Sequence, residues 1–198
     1  FSPLIKSPYK TEISRQLFGN VKDDVLDKLT LTSLKTLNKE LPRAYNDVGI
    51  TNIRNLATCN TGAVAGYLRD CLYINPDRFN ASIQNPKKFY KENVTEESKR
   101  YGIRRLAIDY EKNVRGYIID HEIGHLVFEK YKFSGKNSEL AKMRSLTEKN
   151  GNLKKISRYA VLSEDKEDFF AEIYAMYARK DDSLPKYLVD YVEKVKKG

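Results

Sequence analysis

The stretch 116-GYIIDHEIGHLVF-128 holds both histidines of a 198-residue chain, four residues apart, with a glutamate directly after the first. On a helix, residues i and i+4 stack on one face, so His121 and His125 offer their ring nitrogens to one point in space. Neutral imidazole is a ligand of Zn²⁺, and a catalytic zinc site uses three protein ligands with a fourth position left for water. Glu122 lies about 100° further round the helix, where it reaches that water and not the metal, the place of a general base. A carboxylate beside a water of pKa about 7 takes its proton and passes it to a leaving amine, so the chemistry implied is hydrolysis of an amide with one Zn²⁺ as cofactor. Gly124 costs a helix about 0.5–1 kcal/mol relative to Ala, which suggests that a second element presses against the backbone there. Two histidines can flank a glutamate by chance on any helix. The apolar flanks YIID and LVF favour the metal reading, because a water-excluding site needs a largely buried ligand helix.

With two histidines in the chain, the third protein ligand is not a histidine, and Tyr131 stands where longer zinc motifs carry one. A carboxylate on a neighbouring helix is the remaining common choice. The stretch 163-SEDKEDFFAEIYAMY-177 fits: Asp168 and Glu172 share a face at i and i+4, and Phe169, Phe170, Ile173, Met176 and Tyr177 supply packing. One acid can bind the metal while another orients a histidine through its second ring nitrogen. An acidic helix start, favoured by the helix dipole, is the plainer reading of Glu164, Asp165, Glu167 and Asp168 taken singly.

Working outward, the active-site helix is expected over Asn113–Lys130, a further helix over 137–149, one after an N-cap at Ser163 as far as Arg179, and a last one after Pro185. Before the motif, leucines 26, 29, 34, 37 and 41 make a helical stripe from Asp24 to Leu41, ended by Pro42. VGITNIRNLATC (48–59) and AVAGYLRDCLYINP (63–76) read as strands joined by tight turns at Asn60-Thr61-Gly62 and Asn75-Pro76. Residues 86–102 are polar, a solvated helix or connecting excursion, and residues 1–20 an irregular arm. The fold class is therefore α+β, one domain over 21–198, with a small twisted mixed sheet and a helical C-terminal half.

The net charge is +9, spread in clusters such as PKKFYK, KRYGIRR and LKKISR. A solvated basic surface is the plainer reading and an acidic partner such as nucleic acid or a membrane surface the other; no nucleic-acid motif accompanies the charge. No apolar run approaches the roughly 20 residues that cross a bilayer. Cys59 and Cys71 could form one bridge or stay as buried thiols. The opening FSPLIKSPYK reads as processed or excised from a larger parent protein.

DHEIGH, then RYA (158–160), DFFAEIYAMY and LPKYLVDYVEKV (184–195), resembles the catalytic domain of anthrax lethal factor and the Pro-Pro endopeptidases. It is also similar to zincin-like domains attached to phage head-morphogenesis proteins and bacterial toxins. The resemblance runs from about Gly66 to Val195 and is strong at the two motifs. It implies a zincin-like metallopeptidase domain, a zinc metalloendopeptidase with Glu122 as base, and a secreted or phage- or toxin-associated setting. It implies Asp168 at the third-ligand slot, where the family has glutamate, with Glu167 as the alternative because aspartate is one methylene shorter. It further implies Glu172 as the acid that orients a histidine and Tyr159 at the oxyanion. LYINPDRF would hold the edge strand, Leu72, Tyr73, Ile74 and Asn75, along which a peptide substrate lies. The alternative function is a catalytically silent zincin-fold binding or assembly domain of a phage or toxin protein.

Overall fold

Thr30 and Asn80 divide what the leucine spacing presents as one helix. The computed structural model describes residues 23–49, 52–55, 64–68, 71–86, 88, 116–157, 160–161, 163 and 165–198, and in it α1 (Asp23–Lys28) and α2 (Leu31–Val48) flank a break. Thr30 Oγ1 accepts from the Ser33 N–H at 3.2 Å. Asn80 donates to the Lys28 carbonyl at 2.8 Å and accepts from the Thr30 N–H at 3.0 Å. Side chains thus satisfy backbone groups at both helix ends, which makes stopping and restarting tolerable. Pro42 does not end α2, contrary to the sequence reading: it is exposed, and the helix runs on to bring Val48 into the core alongside Leu34, Leu37 and Leu41. The hydrogen bond Pro42 cannot make is outweighed by apolar burial on either side of it.

The described residues form a mostly helical α+β protein with a three-stranded mixed sheet. Its strands are β1 (Asn52–Asn55), β2 (Ala65–Leu68) and β3 (Cys71–Ile74), ordered β1-β3-β2, with β3 parallel to β1 and antiparallel to β2. The strands fall inside the two segments read as strands, and the turn at 60–62 lies outside the described residues. β3 is the central strand and not an edge. Leu72 pairs with Ile53 and Tyr67, Tyr73 with Arg54 and Gly66, and Leu72 and Ile74 are fully buried. Both hydrogen-bonding sides of β3 are therefore taken, so Leu72, Tyr73 and Ile74 do not offer a free edge to a peptide. Asn75 is also engaged: it caps α3 (Pro76–Gln84), accepting from the Arg78 N–H at 3.4 Å with Pro76 at the first helical turn. Asn-Pro is a helix start here and not a tight turn. Cys71 is buried, and Cys59 lies outside the described residues.

The chain divides into two compact units, Phe1–Pro86 and Lys87–Gly198. The elements above belong to the first. The second holds α4 (Tyr117–Lys130), α5 (Lys136–Lys149), α6 (Leu153–Ile156), α7 (Lys166–Ala178) and α8 (Lys186–Lys197). Residues 1–20, most of 86–102 and 113–115 lie outside the described residues.

Gly116, at φ 81°, turns the chain into α4 through the left-handed region that side chains avoid. α4 and α7 are buried on almost every side, α7 continuously from Phe169 to Met176. They run antiparallel, since Asp120, His121 and His125 face Arg179, Glu172 and Asp168 in turn. Gly124 is where they come closest: a Cβ there would stand 2.8 Å from Ala171 Cα and 3.0 Å from Tyr174 Cβ. The close neighbour that this glycine suggests is therefore α7. Phe170 completes the seam, 5.1 Å from the Phe128 ring and edge-on to Tyr191 of α8 at 5.8 Å. α8 offers Leu188, Tyr191, Val192 and Val195 as a buried stripe at helical spacing. Among the described residues no helix is long and apolar enough to cross a membrane.

Candidate metal centre

His121 and His125 lie one turn apart on α4, and Asp168 lies in the first turn of α7. Antiparallel packing brings their donor atoms together. His121 Nε2 and His125 Nε2 are 3.2 Å apart, His125 Nε2 and Asp168 Oδ1 3.1 Å, and His121 Nε2 and Asp168 Oδ1 3.5 Å. A tetrahedral ion with bonds of about 2.0–2.1 Å has ligand atoms about 3.3–3.4 Å apart. The three separations thus outline one face of such a tetrahedron, and two imidazole nitrogens with a carboxylate oxygen are zinc's usual donors. Glu167 is not a member of this group, so of the two candidate acids it is Asp168 that converges with the histidines.

The orientation of His121 is fixed from behind. Glu172, wholly buried, accepts from His121 Nδ1–H through Oε1 at 2.6 Å and from the Tyr117 hydroxyl through Oε2 at 2.6 Å. An ionised carboxylate can only accept, so an imidazole proton sits on Nδ1, and Nε2 is the nitrogen that faces the cluster. Glu172 therefore occupies the orienting position read from its spacing. Tyr117 entered the sequence reading only as part of the apolar flank YIID. Its signal was available, because residues 117, 121 and 125 fall on one helical face at successive i+4 steps.

Ser163 does not cap α7. Asp165 does, accepting from the Glu167 N–H at 2.8 Å. The Ser163 hydroxyl accepts from the Asp165 N–H at 3.1 Å and donates to Asp168 Oδ2, the oxygen turned away from the histidines. Upstream, Arg144 of α5 donates to the carbonyls of Ala160 at 3.2 Å and Val161 at 3.0 Å, and Ser157 Oγ accepts from the Ala160 N–H at 3.0 Å. Tyr159 itself lies outside the described residues. No protein-family model, curated protein or solved structure matches the chain.

Charge follows the geometry. Burial opposes ionisation of Asp168, yet hydrogen bonds from His121, His125 and Ser163 outweigh it and hold the carboxyl well below the usual range. Burial also disfavours the His121 cation, but Asp168 and Glu172 outweigh it and raise the imidazole well above its ordinary value. Glu122 is partly buried, and its carboxylate has no hydrogen bond or ion pair among the described residues. Burial first, with Asp168 and Glu172 adding, pushes its pKa up against the pull of the two histidines. The far end of the helix pair is closed by buried Asp120, 3.2 Å from Arg179 Nε.

Proposed function

We propose that the chain is a zinc metalloendopeptidase of zincin-like α+β architecture. The observation that carries the reading is the convergence of His121 Nε2 and His125 Nε2, from the helix that also bears Glu122, with Asp168 Oδ1 of α7, at the spacing of three ligands on one ion. When bound, zinc supplies Lewis acidity and a water acidic enough to ionise near neutrality. The chain's own residues supply the rest. Glu172 and Tyr117 hold the His121 ring, and Glu122 accepts a proton and returns it to the leaving amine. Tyr159 as oxyanion donor, and a phage- or toxin-associated or secreted setting, rest on the resemblance alone. The substrate is a peptide or protein, and pairing along β3 is not available to hold it, since both its sides are taken.

The test is metal content and peptide cleavage measured together. One zinc per chain is expected, lost in Asp168→Ala and kept in Glu167→Ala. Glu122→Ala keeps the zinc and loses cleavage by about 10²- to 10⁴-fold, the range for a general base. Full activity in Glu122→Ala sinks the mechanism. Stoichiometric zinc with no cleavage of a diverse peptide library by the native chain favours the binding or assembly domain instead.

A further inference from the structure

We propose that Ser163 is a positioning residue that makes Asp168 a one-oxygen ligand, by occupying Oδ2 so that only Oδ1 is offered to the metal. This rests on the metal reading above and goes beyond it. A carboxylate can bind through one oxygen or two, and which it does decides how many positions remain for water and substrate. Asp168 Oδ1 stands 3.1 Å and 3.5 Å from the two histidine nitrogens. Oδ2 receives the Ser163 hydroxyl. The direction of that hydroxyl is not arbitrary: Ser163 Oγ already accepts the Asp165 N–H at 3.1 Å, which leaves its proton to point at Asp168. Upstream of this serine, Arg144 donates to the carbonyls of Ala160 and Val161. Hydrogen bonds of this kind to a ligand carboxylate set its orientation and basicity, and their loss typically costs 10- to 100-fold in metal affinity.

The experiment uses Co²⁺, whose visible absorption is strong in four-coordinate sites and weak in five- or six-coordinate ones, with affinity read by competition against a chelator. The full chain should give an intense four-coordinate spectrum. Ser163→Ala should lose about 10- to 100-fold in affinity and much of the absorbance, as Oδ2 turns to the metal. Ser163→Thr, which keeps the hydroxyl, should restore both. Ser163→Val has the shape of threonine without the donor, and supplies the comparison should the alanine variant fail to fold. If Ala and Val bind Co²⁺ with native affinity and spectrum, Ser163 has no such role and the metal reading stands. If the native chain binds no Co²⁺, the metal reading fails and this inference with it.

Discussion

Gly124→Ala is the sharpest test of the helix pair, because two rules give opposite signs. In an exposed helix the change would stabilise by about 0.5–1 kcal/mol. Here the new methyl would meet Ala171 Cα at 2.8 Å, Ala171 O at 3.1 Å and Tyr174 Cβ at 3.0 Å. Carbon atoms rest at about 3.5–4.0 Å, so the helices must part by about 0.7 Å or more at this point, against backbone that cannot swing aside. Overpacking of this kind costs about 1–3 kcal/mol, so the net expectation is destabilisation by about 1–2 kcal/mol. Urea unfolding of the metal-free chain reads it, as does a fall in melting temperature of about 2–8 °C. Gly124 lies between His121 and His125, so the same displacement carries Asp168 away from them. Zinc affinity should fall by tenfold or more beyond the stability loss, read by chelator competition well below the melting temperature. An alanine variant as stable as the native chain, with unchanged affinity, would refute the account of how α4 and α7 meet.

Tyr117→Phe removes a 2.6 Å hydrogen bond to the buried Glu172 carboxylate and leaves the ring in place; a stability loss of about 1.5–3 kcal/mol is expected, with weaker zinc binding, and unchanged values in both would show that Tyr117 only packs. Two groups whose contributions to the pH dependence of the metal-free chain's stability have opposite signs are His121 and Asp168. His121 has a raised pKa in the folded state, so its contribution is complete below about pH 6.5 and fades as the pH rises through the folded value. Asp168 has a lowered one, so its contribution is complete above about pH 4 and fades as the pH falls towards the folded value. In unfolding curves taken with chelator present, the joint contribution of these two groups is largest between those limits. Zinc should offset the alkaline loss, because the metal requires neutral imidazole and binds more tightly as the pH rises. Stability that climbs from pH 6.5 to 8.5 without metal would contradict the charge assignment.

How much was legible depended on how local the information was. The helix bearing the histidines, α5 and α8 follow from the residue pattern within their own segments, and Gly124 announced a close neighbour without naming it. Asp168 and Glu172 were readable as a pair because i and i+4 share a face. Ser163 was misread because serine and aspartate compete for the cap, and Asp165 takes it while the serine hydroxyl turns to Asp168. Pro42 and the Thr30 break depend on tertiary partners, Val48 in the core and Asn80 from another helix, that no local pattern carries. β3 was assigned to an edge by resemblance, and strand order is a non-local property. The Asp120–Arg179 pair and the Arg144 clamp were invisible for the same reason.

His125 and Asp168 are 43 residues apart along the chain. An ion held by both would therefore act as a cross-link, closing a long loop through bonds that can be undone. On the chain-entropy scale used for disulfides, a loop of that length removes about 4 kcal/mol of freedom from the unfolded ensemble. A protein fastened in this way unfolds slowly while loaded and quickly once stripped, so its lifetime among proteases would be governed by metal supply as much as by its core.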